Sequence, residues 1–211
     1  NESETILDAA LEYGITIPYG CRGGRCGCCK GKVLAGEISY EETPAGITEE
    51  EMAQGEALFC KAFATSDLEI EVSEILDINQ VKPERVPSKV QKLEKLSHDV
   101  IRLHLKLPDA KRIPFFSGQY LDIIQDNGER RSFSIANAPH KDDFIELHIR
   151  HVEGGEFTHH IFHDMQAKDI LRIEMPLGNF FLREQSKRPI LMMGGGTGFA
   201  PLKGMLEHAF K

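Results

Sequence analysis

The stretch Cys21-Arg-Gly-Gly-Arg-Cys-Gly-Cys-Cys29 decides how this chain is read. Cys21, Cys26 and Cys29 stand as C-x4-C-x2-C, and Cys60 follows well downstream. That spacing delivers four thiolates to a [2Fe–2S] cluster. Three ligands from nine residues make the backbone wrap tightly, and Gly23, Gly24 and Gly27 allow turns that a Cβ would oppose. Their N–H groups can aim at the sulfurs, and Arg22 and Arg25 put positive charge beside an anionic centre. Structural zinc usually takes two close C-x2-C pairs, whereas Cys60 has no near partner. A disulfide framework suits short, cysteine-dense secreted chains, and five cysteines in 211 residues are neither dense nor even in number. Cys28, inside the x2 gap, reads as a small buried thiol in preference to an alternative ligand.

A length of 211 residues with 41% hydrophobic and 27% charged content describes an ordinary globular protein of one to two domains, or slightly more if they are small. No apolar run reaches membrane-spanning length and no basic patch marks a nucleic-acid surface, so neither is expected as a partner. Reduced cysteine chemistry favours a cytoplasmic home. The formal net charge is -8, unevenly spread. Residues 1–80 hold 16 acids against 5 Lys and Arg, a net of −11; the remainder holds 17 against 20, a net of +3. The acidic half is either a solvated face or a surface that steers a docking partner.

Hydrophobic periodicity supplies the elements. Ser3 can cap a helix with the stripe Ile6, Ala9, Ala10 and Tyr13, stopped by Gly14. Residues 32–34 and 37–40 read as short strands around Gly36. Thr48-x-x-Glu51 is a capping box, and 68–72 alternates as a half-buried strand. Residues 79–88, with Pro83 and Pro87 among charges, read as a linker. Strands are then expected at 90–96, 100–107, 119–124, 131–135 and 144–150, an antiparallel barrel or sandwich, with one helix capped by Thr158. At the end, 189–193 reads as a buried strand leading through Gly194-Gly-Gly-Thr-Gly198 into a helix with Pro201 in its first turn. The histidines His159 and His163, four apart, read as an exposed helix face, not a metal site.

Two further constellations carry chemistry. Arg131-Ser-Phe-Ser134, at a strand end, offers a cation for phosphate, a ring face for stacking and a hydroxyl for a ring heteroatom, the three needs of a flavin nucleotide. Gly155-x-x-Thr158, at a helix start, can turn backbone N–H groups toward a pyrophosphate, which weighs for FAD over FMN; a merely capped helix is the alternative. The glycine loop 194–198 joins a strand to a helix, the context of a dinucleotide phosphate, although its spacing is not G-x-G-x-x-G.

In this order, the cysteine motif, R-x-[YF]-S, G-x-x-[ST] and G-G-T-G-x-A-P resemble the ferredoxin–NAD(P)H reductase fusions that serve bacterial oxygenases and a deoxysugar pathway. The stretches RRSFSIANAP (130–139), LRIEMPLGNFFLRE (171–184) and GGGTGFAP (194–201) are most similar to members acting in CDP-6-deoxy-glucoseen reduction. The resemblance implies a β-grasp [2Fe–2S] ferredoxin domain (α+β) at 1–78, the linker, an antiparallel six-stranded FAD-binding barrel at 89–186 and the first strand and helix of a Rossmann-like NAD(P) domain at 187–211. It implies Cys21, Cys26, Cys29 and Cys60 as cluster ligands. Arg131, Phe133, Ser134, Ile149, Arg150, Gly155 and Thr158 are implied for the flavin, and Gly195, Gly196, Thr197 and Gly198 for the nicotinamide nucleotide. Phe133 replaces the commoner tyrosine, and Met175 stands where relatives often have glycine. The β-grasp hairpin before the first helix is missing, and the nucleotide domain stops early, so the chain is expected to be an internal fragment.

The function so implied is an NAD(P)H-dependent oxidoreductase passing electrons through FAD and a [2Fe–2S] cluster to an electron-accepting protein, a sugar dehydratase or alternatively an oxygenase. No side chain is assigned a catalytic role, because the flavin carries the hydride chemistry. A non-enzymatic electron carrier is the reading from another class, and a free-flavin reductase has no use for the cluster.

Overall fold

A computed structural model describes residues 4–73, 75, 82–109, 111–184 and 186–211. The chain forms two compact units, Asn1–Gln80 and Val81–Lys211.

In the first unit, helix α1 (Ile6–Glu12) is capped by Thr5, whose hydroxyl accepts the Asp8 N–H at 3.1 Å. The expected cap, Ser3, lies outside the described residues. The helix buries Ile6 and Leu7, whereas Tyr13 is 83% exposed. Strands β1 (Lys30–Ala35) and β2 (Ile38–Ser39) flank Gly36 without pairing to each other. Helix α2 (Glu49–Ala53) opens with the expected capping box: the Thr48 hydroxyl accepts the Glu51 N–H at 3.2 Å, and the Glu51 carboxylate accepts the Thr48 N–H at 2.9 Å. Strands β3 (Glu56–Leu58), β4 (Phe63–Ala64) and β5 (Glu69–Glu71) complete the unit. The order β3-β1-β5 makes an antiparallel sheet, and β2 pairs with β4. Leu7, Leu58, Phe59 and Ala62 are fully buried, so the helix and the turn after β3 form the core beside the cysteine loop.

The second unit is built on β6 (Glu84–Lys95), β7 (Val100–Lys106), β8 (Tyr120–Ile124), β9 (Arg130–Ser134), β10 (Ile145–Arg150) and β11 (Ile170–Leu177). Their order is β10-β7-β6-β11-β8-β9, all antiparallel. A bridge between Ile135 and Leu147 joins the two ends and closes the barrel. Burial alternates along β7 through Ile101, Leu103 and Leu105, the period of a strand with one face in a core. Helix α3 (Glu156–His163) packs Phe157 and Ile161 into the barrel core. Its N-cap is Gly155, not Thr158.

Three expectations are corrected. The linker 79–88 loses its second half to β6, which begins at Glu84. Pro87 is tolerated there because it faces Arg172 of β11, while β7 pairs with β6 only from Lys89 onward. Strand β11, between β6 and β8, has no counterpart among the expected strands. Leu171, Ile173, Met175 and Leu177 alternate with Arg172 and Glu174, but Pro176 reads as a breaker; a register shift between Glu174 and Leu177 accommodates the proline. Residues 189–193, expected as a strand, form none. A parallel strand needs neighbours for its N–H and C=O groups, and no described strand pairs with this segment. Ile190, Leu191 and Met193 are left 59%, 85% and 83% exposed. The following 3-10 turn (Gly196–Gly198) and helix α4 (Phe199–Ala209) do form, with Pro201 in the first turn and Leu202 and Met205 buried. Among the described residues no helix is long and apolar enough to cross a membrane.

Candidate cluster and flavin sites

The four cysteines of the motif come together from two places. The ligand loop 21–29 turns through left-handed conformations at Arg22 (φ 51°), Gly24 (φ 70°) and Gly27 (φ 72°). The Gly46 N–H donates to the Gly24 carbonyl at 2.8 Å and braces the loop from outside. Cys60 sits in the buried turn after β3. The first N–H groups of α1 hold that turn, Ile6 donating to the Ala62 carbonyl and Leu7 to the Phe59 carbonyl, both at 2.9 Å. The Phe59 N–H donates to the Cys29 carbonyl at 3.1 Å, tying the last loop ligand to the segment carrying Cys60.

Cys21 lies within hydrogen-bonding reach of Cys26, and Cys29 of Cys60; the Cys28 sulfur also approaches Cys26. Among the described residues no group of three or more His, Cys, Asp or Glu side chains fits a single metal ion. Two thiolates for each of two irons is what a [2Fe–2S] rhomb asks for, and the pairs match that demand. Burial would raise the Cys21 thiol, but N–H groups of Arg25, Cys26 and Gly23 outweigh it and hold the thiol below its usual value. The Cys29 thiol lowers Cys60 to about 7, with the Gly24 N–H assisting against burial. Backbone donors thus reach both pairs, as an anionic cluster requires. Cys28 is exposed, contrary to expectation. Local desolvation, then the Cys26 sulfur, push its thiol up to about 11. Arg22 turns its guanidinium to Asp8 of α1, so its charge is answered by a carboxylate.

Among the glycines of the ligand loop, Gly24 carries the sharpest steric demand. A Cβ there would stand 2.7 Å from the Pro44 Cβ, in a left-handed conformation. Gly24→Ala should destabilise the loop by about 1–2 kcal/mol. The check is the rate at which a chelator bleaches the cluster, which should rise.

In the second unit, β9 presents Arg131 and Ser132 exposed, with Phe133 and Ser134 half-buried. The Arg131 guanidinium pairs with Glu129 at 2.8 Å. The Phe133 ring lies 6.0 Å from that of Phe157, which joins β9 to the first turn of α3. No side chain caps α3. The Thr158 hydroxyl instead accepts the Val152 N–H at 3.1 Å and shapes the loop before the helix. A Cβ on Gly155 would meet that hydroxyl at 3.0 Å and the Val152 carbonyl at 3.1 Å. An exposed cation, an accessible ring face and a bare helix N-terminus fit a flavin diphosphate. Arg150 is exposed and pairs with Asp99 at 3.0 Å. Ile149 is fully buried in the barrel core, so only its main chain can face a ligand.

The 3-10 turn 196–198 lies alongside β10. Nothing stands within 4 Å of a Cβ placed on Gly195, Gly196 or Gly198, so the loop is open to a bulky ligand. The His159 and His163 rings lie with centres 4.3 Å apart, tilted by 34°. Phe157 carries no sequence signal beyond its place two residues after Gly155, and the polar cluster around Glu146 carries none.

Residues 1–65 match the 2Fe-2S iron-sulfur cluster binding domain and residues 87–182 the oxidoreductase FAD-binding domain. The chain is 43% identical over 205 residues to CDP-6-deoxy-L-threo-D-glycero-4-hexulose-3-dehydrase reductase of Yersinia pestis, covering 97% of this chain and 61% of that protein. It is 41% identical over 208 residues to reductase component 2 of the terephthalate 1,2-dioxygenase of a Comamonas species, covering 99% and 61%. The crystal structure of the Amycolatopsis cytochrome P450 reductase GcoB superposes with a TM-score of 0.85 at 33% identity, over 98% of this chain and 63% of that one. The chain therefore spans about three-fifths of the length of the curated relatives it matches. Its two matched regions belong to the 2Fe-2S iron-sulfur cluster binding domain and the oxidoreductase FAD-binding domain, joined in that order in one chain.

Proposed function

We propose that the full protein is an NAD(P)H-dependent reductase delivering electrons to a partner enzyme. The observation that carries this reading is the presence, in one chain, of a paired four-thiol cage lined by N–H donors and a barrel strand with an exposed Arg131 beside a bare helix N-terminus. When bound, FAD converts a two-electron hydride donor into a one-electron source and a [2Fe–2S] cluster carries single electrons. Cys21, Cys26, Cys29 and Cys60 hold the cluster. Arg131 and the first N–H groups of α3 bind the flavin phosphates, Phe133 offers its ring face, and Ser134 donates a hydroxyl. Arg150 and the Ile149 main chain line the same cofactor. Residues 195–198 receive the nicotinamide nucleotide. The five free thiols suit a reducing compartment such as the cytoplasm.

The acceptor we favour is a deoxysugar dehydratase, supported by the 43% identity to the Yersinia reductase. An oxygenase acceptor is the alternative, supported by the 41% identity to the Comamonas reductase component. Full-length protein, reconstituted anaerobically, should show flavin and iron–sulfur absorption together, and NADH or NADPH should bleach both. Absence of either cofactor sinks the relay; both cofactors present without bleaching leaves a plain electron carrier. Faster reoxidation by a purified deoxysugar dehydratase than by an oxygenase decides between the acceptors.

A further inference from the structure

The barrel holds a buried polar cluster that the relay does not use. Glu146, on β10, has a side chain only 6% exposed. His148 lies 2.8 Å from one of its oxygens, and the Lys203 ammonium of α4 lies 3.3 Å from both. His104 approaches at 3.8 Å. Lys203 also donates to the Ala136 carbonyl at 3.2 Å and pairs with Glu207 at 3.0 Å. A Cβ on Gly204 would stand 3.0 Å from the Asn137 carbonyl oxygen, so α4 lies directly against the chain leaving β9. Burial alone would raise the Glu146 carboxyl, but His148 and Lys203 hold it below its usual value, so it is ionised and attracts the ammonium.

Lys203 is five residues beyond Gly198, on the helix that the glycine turn opens. Ala136 is two residues beyond Ser134. One half-buried ammonium therefore grips the strand carrying Glu146, the segment following the flavin motif, and the helix following the glycine loop. Fully exposed ion pairs contribute little to such a linkage, whereas the buried Glu146 fixes the direction of this one, and His148 still answers the carboxylate when the ammonium is removed.

We propose that Lys203 and Glu146 are positioning residues that fix the glycine loop 194–198 against the flavin strands for the incoming nicotinamide nucleotide. This rests on the reductase reading given above. In full-length protein, Lys203→Met should raise the KM for NAD(P)H about tenfold, with flavin content, thermal midpoint and the rate at saturating nucleotide little changed. Lys203→Arg should restore most of the lost affinity. Glu146→Gln, which keeps the hydrogen bond to His148 but drops the charge, should reproduce the KM defect. Amide hydrogen exchange at 194–200, measured without nucleotide, should quicken in both defective variants while the barrel strands stay protected. Unchanged KM and unchanged exchange overturn the proposal. Loss of flavin or a lowered midpoint in both variants also overturns it, because the pair would then be a brace of the barrel alone. If the parent protein is not bleached by either nucleotide, the reductase reading fails; quickened exchange in the variants still supports the positioning role.

Discussion

Cys60→Ser should strip the iron from the protein while leaving the flavin in place. The residue is 5% exposed, in a turn whose carbonyls are taken by the first N–H groups of α1. Its neighbour Phe59 is bonded to the Cys29 carbonyl. A serine oxygen there cannot slide toward another iron geometry, and a hydroxyl is a poor substitute for a soft thiolate. Iron content should fall from about two per chain to near zero, with loss of the visible iron–sulfur bands. The flavin-to-protein ratio should hold, since the flavin residues lie in the other unit. Cys28→Ser is the control and should keep its iron; losing it would show that the exposed thiol is a ligand.

Arg130→Ala should be the most damaging single change to the barrel. Asp122 and Glu174 are register partners on adjacent strands, with side chains 5% and 11% exposed. Two buried carboxylates facing each other repel. Arg130 answers both, bonding Glu174 and approaching Asp122 at 3.5 Å. Ser132 donates to Asp122 at 2.6 Å, and Arg85 reaches Glu174 at 2.7 Å from a position 74% exposed. Removing Arg130 leaves a carboxylate pair with one solvated cation. The expected loss is about 3 kcal/mol, the low end for a broken buried pair because the guanidinium is itself partly exposed. For a unit of this size the midpoint of thermal flavin release should drop by roughly 10 °C. A shift of only about 2 °C would mean that Arg85 suffices.

The cysteine loop was legible because metal ligation fixes residue type and spacing together, and few other chemistries want C-x4-C-x2-C. Five barrel strands were legible because their inward faces alternate, as in Ile101, Leu103 and Leu105. Strand β11 was hidden by Pro176, which breaks the reading of an otherwise regular alternation; Glu174, buried on its polar side, is tolerated because arginines 44 and 89 residues away answer it. The strand expected at 189–193 failed for the opposite reason. Its apolar run describes a place in a sheet, and a strand is a relation between neighbours that the run alone does not supply. Thr158 was read as a cap from its residue type, whereas its hydroxyl turns back on Val152. The Glu146–Lys203 contact, 57 residues apart in sequence, leaves no periodic trace at all.

The closure of the barrel has a consequence of its own. Five of its six strand junctions are multi-residue ladders, but among the described residues the main chains of β9 and β10 meet through the Ile135–Leu147 bridge and a bond from the Ala136 N–H to the Glu146 carbonyl at 2.8 Å, with Asn137 side-chain bonds beside them. The candidate flavin residues Arg131 to Ser134 lie on one side of that junction, and Ile149 and Arg150 on the other. A cofactor held by both flanks acts as a clasp across the weakest seam of the cylinder. Flavin occupancy and barrel integrity then become one equilibrium, and the barrel tightens as free flavin rises above its dissociation constant.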